Sequence, residues 1–138
     1  MTTDELKLFF AKDRLAKYMS MEIVDCAPGS ATIRMPIQEM HLNGFDAVHG
    51  GALFSLADFA CAVASNSHGS LAVLVNASIH CMRPSKGDHL VAVAREIGLT
   101  AKFGTYAIEV LDAMGARVAA FQGMVYRTGK PLFPTEEK

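Results

Sequence analysis

The sequence predicts an α+β fold: a six-stranded antiparallel sheet wrapped around one central helix, with an extra helix at the N-terminus. Three observations carry this. Residues 51–67 are apolar on most sides, so they form a helix that is buried rather than laid on a surface. Strand-like segments flank that helix, two before it and four after. The connections between consecutive strands are short, which demands antiparallel pairing because parallel neighbours need long crossovers. A sheet with an apolar inner face needs a partner layer, and the central helix supplies it.

Each element follows in order. Thr2 or Thr3 can cap a first helix over 4–18, with Asp4 and Glu5 in its opening turn. Leu6, Phe9, Phe10 and Leu15 fall near one face of it. Residues 21–26 and 31–37 read as a hairpin around the turn tetrapeptide Ala27-Pro28-Gly29-Ser30. Residues 38–49 form a polar loop. The buried helix then runs to Asn66-Ser67-His68-Gly69, where Gly69 suits a left-handed cap. Segments 71–82, 89–99, 105–112 and 117–127 are the remaining strands, and the tail 129–138, with two prolines and terminal acids, is expected to fray.

Length and composition narrow the function. At 138 residues the chain fits one domain, 1–138, with 51% apolar and 20% charged residues. The formal net charge is −1 and the 13 basic residues are scattered, so no footprint for nucleic acid or an anionic membrane exists. The opening MTTDELKLFF carries acids where a signal peptide would be basic, and no apolar run is long enough to span a bilayer. Cys26, Cys61 and Cys81 are odd in number and lack CxxC spacing, which reads as free core thiols in a reducing cytoplasm. His41, His49, Asp58 and His68 lack metal-ligand spacing, so no metal is expected. No G-x-S-x-G elbow is present, and Ser55 lies inside the helix run.

The chemistry concentrates in Asn43-Gly44-Phe45-Asp46-Ala47-Val48-His49-Gly50-Gly51 and the helix that follows. The first amides of a helix lack intrahelical partners and carry the positive end of its dipole. Gly50 and Gly51 leave that end open to a polarised oxygen, as an oxyanion requires, or they simply make a permissive joint. Asn43 offers an amide donor or forms a turn, and His49 donates to the same oxygen or braces the loop. Asp58 is a carboxylate in an otherwise apolar helix; it is either satisfied by nearby donors or kept for function. It lies eight residues past Gly50, on the order of 12 Å along the axis, so one carbonyl cannot touch both in one chain. If both act on one ester or thioester, Asp58 comes from a second subunit, and a two-fold dimer shares its sites.

Asn43, Gly44, His49-Gly50-Gly51, Leu56-Ala57-Asp58 and Asn66-Ser67 resemble the hotdog-fold acyl-CoA thioesterases, closest to their bacterial phenylacetate-degradation, hydroxyphenylacetyl-CoA branch. Arg83-Pro84, Gly87-Asp88, Leu90, Tyr106 and Phe121-Gln122-Gly123 extend the likeness over most of the chain. The resemblance implies cofactor-free hydrolysis of an aryl- or phenylacetyl-type acyl-CoA to carboxylic acid and free CoA. It implies that the Gly50 amide, helped by Asn43, polarises the carbonyl, that the neighbouring subunit's acid matching Asp58 activates water or attacks, and that dimers pair into tetramers. Arg83, Lys86 and Lys102 are candidates to meet the coenzyme's phosphates, beside Gly51 at the acyl end; solvated turns are the bland reading of the three cations. A hotdog hydratase would need a histidine on the Asp58 face, which is absent. A non-catalytic acyl-CoA-binding module is the alternative, although binding alone gains nothing from a buried carboxylate.

Overall fold

The computed structural model describes residues 1–134. Residues 135–138, the end of the predicted frayed tail, lie outside the described residues. The order is α1 (Thr3–Phe10), α2 (Arg14–Tyr18), β1 (Glu22–Ala27), β2 (Ser30–Pro36), a 3-10 turn (Glu39–His41), α3 (Gly50–Asn66), β3 (Ser70–Cys81), β4 (His89–Leu99), β5 (Phe103–Asp112) and β6 (Arg117–Pro131). One six-stranded sheet has the order β1-β2-β4-β5-β6-β3, every pair antiparallel. It curls around α3 as predicted.

Helix α3 is the centre of the core. Leu56, Ala57, Ala60, Val63 and Ala64 are fully buried against the sheet's inner face, which offers Ile33, Leu90, Tyr106, Ile108 and Val118. The alanines let strands approach, and Leu56→Ala would cost about 2–5 kcal/mol by lost transfer energy and an unfilled cavity. Gly69 ends the turn after α3 at φ +85, the left-handed conformation that an L side chain resists.

The N-terminal segment departs from the single predicted helix. Thr2 and Glu5 form a capping box at the start of α1, but the chain breaks at Ala11-Lys12-Asp13. There the Asp13 side chain accepts the Ala16 N–H at 3.0 Å and starts a second helix. The break rotates the apolar face: Ala16, not Leu15, is buried, and Leu15 is exposed. The tail also differs. Strand β6 continues through Pro131 because Thr128 donates its hydroxyl to Leu71 O at 2.8 Å, and buried Leu132 donates its N–H to Gly69 O at 3.1 Å. Of the three free thiols only Cys61 lies in the core; Cys26 is half-buried and Cys81, at the end of edge strand β3, is exposed. No described helix is long and apolar enough to cross a membrane.

Candidate active site

The loop 38–49 is held by His41, which is buried. Its Nδ1 accepts the Gln38 N–H at 2.9 Å, and its Nε2 lies 3.1 Å from Met19 O. A carbonyl only accepts, so Nε2 carries the proton and the ring is neutral; burial pushes its pKa below the usual histidine value. The His41 carbonyl accepts the His49 N–H at 2.7 Å. One buried ring thus ties the end of α2 to the start of α3.

Asn43 pins the loop on itself. Its Oδ1 accepts from Phe45 N–H at 2.9 Å and Ala47 N–H at 3.2 Å, which fixes the amide's orientation. The Nδ2 group is left as a donor with no partner among the described residues.

At the head of α3, His49 is the N-cap and its Nδ1 accepts the Gly51 N–H at 2.8 Å. The Gly51 amide is therefore occupied. The Gly50 N–H bonds to no described residue and is the first free amide of the helix. A Cβ placed on Gly50 would find nothing nearer than Cys81 Sγ at 3.9 Å, so this end of the helix is open.

Asp58 lies on the least covered stripe of α3, with Gly51, Ser55 and Ala62. It is half-buried, and no described residue donates a hydrogen bond to it. Burial pushes its pKa above the ordinary carboxylate value, and the Asp13 carboxylate raises it further. Asp112, which the sequence did not single out, is the contrast. Buried at the end of β5, it accepts from the backbone N–H groups of Lys86, Met114 and Ala116 at 2.9–3.0 Å, and these bonds hold its pKa down. The structural carboxylate is satisfied and Asp58 is not.

Arg83 and Lys86 are exposed in the loop between β3 and β4, just past Cys81 and so at the Gly50 end. Lys102 is exposed in the turn after β4. The 11-residue strand β4 separates it from Lys86 by roughly 30 Å within one chain, at about 3.3 Å per residue. Among the described residues no three His, Cys, Asp or Glu side chains form a group able to hold a metal.

Asp13 escaped the sequence reading because it sat inside the predicted first helix. Its signal was an N-cap residue before Arg14-Leu15-Ala16. His41 was weighed only as a metal ligand, since nothing local announces a histidine satisfied by backbone groups on both sides.

The arrangement presents a free amide at the head of α3, a side-chain amide in the loop leading to it, and a carboxylate two turns away on the same helix. A family profile described as the thioesterase superfamily matches residues 45–119. A putative esterase of Archaeoglobus fulgidus is 39% identical over 127 residues, covering 91% of this chain and 82% of that protein. The acyl-coenzyme A thioesterase PaaI of Escherichia coli is 37% identical over 121 residues, covering 87% and 86%. The solved structure of the E. coli PaaI protein superposes with a TM-score of 0.86 at 36% identity, over 90% of this chain and 91% of that one.

Proposed function

This chain belongs to the thioesterase superfamily and is a thioester hydrolase, and from that premise we propose that it hydrolyses an acyl-CoA of aryl or phenylacetyl type. The similarity to PaaI supports the acyl-CoA substrate. The thioester carbonyl oxygen accepts from the Gly50 N–H and Asn43 Nδ2. Asp58 takes a proton from a water whose oxygen adds to the carbonyl carbon. The oxyanion is held by the two donors until it reforms the carbonyl and the C–S bond breaks. The CoA thiolate leaves and recovers the proton, giving a carboxylic acid and free CoA.

The observation that carries this reading is the unpartnered Asp58 on the open stripe of α3, beside a satisfied Asp112. Because Gly50 and Asp58 share one helix, eight residues set them about 12 Å apart. Each site therefore combines Gly50, Asn43 and His49 of one subunit with Asp58 of another, in a two-fold dimer. Edge strand β3 supports such a pairing, since it exposes Val73, Leu74 and Val75. So does the small-residue stripe of α3, which lets a second helix come close. Exposed Ile97, Phe103, Met124 and Tyr126, on strands β4, β5 and β6, support a further contact between dimers. The position of Arg83 and Lys86 in the loop just past Cys81, at the Gly50 end, supports their role in meeting the coenzyme's phosphates, and Lys102 of the same chain stands a strand length from Lys86.

Free-thiol release from phenylacetyl-, benzoyl- and medium-chain acyl-CoAs tests the reading. Asp58→Asn is expected to lower turnover at least about a hundredfold, the low end for a positioned base. Unchanged turnover would remove Asp58 from its role.

A further inference from the structure

A row of cavities runs along α3 on the side roofed by α2, and its neck is built from two acids. The smallest, about 60 Å³, is lined by Asp13 and Asp58 together with Ala16, Met21, Ser55 and Phe59 among others. Asp13, Ala16, Met21 and Phe59 also line the next cavity, of about 380 Å³, so the two adjoin across these four side chains. That larger space lies between α1, α2 and the start of β1. Its floor is apolar, from Phe10, Ala16, Met21, Ile23 and Phe59, and the Phe10 ring stands edge-on to Phe59 at 5.5 Å and 86°. Its charged lining residues are Lys7, Asp13, Lys17 and Glu22. The size falls within the range of small-ligand pockets.

Its origin is the break that Asp13 makes in the N-terminal helix. Starting α2 at Arg14 buries Ala16 and leaves a hollow over the α3 flank, where a longer side chain would have filled it.

Building on the function proposed above, we propose that the acyl group of the substrate passes the Asp13–Asp58 neck and ends in the Phe10–Phe59 hollow, and that Asp13 makes the enzyme selective for uncharged acyl groups. The route follows from adjacency: the small cavity is lined by Asp58 and shares Asp13, Ala16, Met21 and Phe59 with the larger one. The apolar floor sets the occupant: an aryl or medium-length alkyl chain. The neck sets the exclusion. An acyl chain ending in a carboxylate must carry its charge past two acids in a partly desolvated passage, where like charges repel far more than in water. The influence of Asp13 on the Asp58 carboxyl is independent support that the two sense each other.

The experiment compares kcat/KM for acetyl-, butyryl-, hexanoyl-, phenylacetyl- and succinyl-CoA in wild type, Asp13→Asn and Ala16→Leu. Asparagine caps a helix as well as aspartate does, so Asp13→Asn keeps α2. It is expected to raise the succinyl-to-butyryl ratio about tenfold, equivalent to about 1.4 kcal/mol. Ala16→Leu projects into the hollow and is expected to lower the hexanoyl-to-acetyl and phenylacetyl-to-acetyl ratios about tenfold, the scale of one or two misfitted methylenes. Should Ala16→Leu fail to fold, Phe10→Leu, which enlarges the same hollow, is expected to move preference towards longer chains. Turnover with every ratio unmoved would overturn this inference alone. Absence of thiol release by the wild type from all five would overturn the functional reading and this inference with it.

Discussion

His49 and Gly51 are joined across two residues: the histidine Nδ1 accepts the glycine N–H at 2.8 Å and closes the second amide of α3. What the helix leaves open is therefore one donor, the Gly50 N–H, aimed out of its positive end.

Gly50→Pro deletes that donor and nothing else the helix needs. Gly50 is the first helical residue, where proline is well tolerated, and His49 already has the extended conformation that precedes proline, at φ −61 and ψ 137. Urea denaturation is expected to find stability unchanged or improved, while kcat falls on the order of a hundred- to a thousandfold, as for loss of one oxyanion donor. Gly50→Ala keeps the N–H and is expected to retain most activity.

Asp58→Asn is expected to raise the melting temperature at pH 7 even as it removes turnover. The folded-state pKa of Asp58 lies above its unfolded value, so its contribution is favourable only below the unfolded pKa of about 3.9 and is lost as pH rises through the folded pKa. At neutral pH the fold carries an ionised, unpartnered carboxylate, which asparagine removes. Thermal melts at pH 7 and pH 3.5 check this: the stability gain shrinks at the lower pH.

Mixing inactive subunits tests the shared site. Gly50→Pro and Asp58→Asn chains, denatured and refolded together at equal ratio, form mixed dimers in which one site has both defects and the other has none. About a quarter of wild-type activity is expected to return, since half the dimers are mixed and each regains one of two sites. A mixture as inactive as its parents would refute subunit sharing.

His41 makes stability sensitive to acid. Its folded pKa is lowered, so its contribution is complete above the unfolded value of about 6.5 and is lost as pH falls from there through the folded pKa. Urea midpoints from pH 7.5 to 5.0 are expected to fall more steeply in wild type than in His41→Asn, which is less stable throughout but has no ring to protonate.

The sequence by itself determined the layers. Long-range periodicity, short connections and one helix apolar on most sides leave a single economical arrangement, and the strand limits fell within a few residues at most ends. It also determined that Gly50 and Asp58 are far apart, because the rise of an α-helix is fixed by its backbone. What it did not reach depends on side chains meeting across space. Whether residues 4–18 make one helix or two turned on a single Asp13–Ala16 hydrogen bond competing with helix continuation. Which glycine amide stays free was decided by the rotamer of His49. Asp58 and Asp112 look alike as letters, and only the fold brings three backbone amides to one and none to the other. Hydrogen bonds act over about 3 Å, and contacts of that reach between distant residues exist only once the chain has closed on itself.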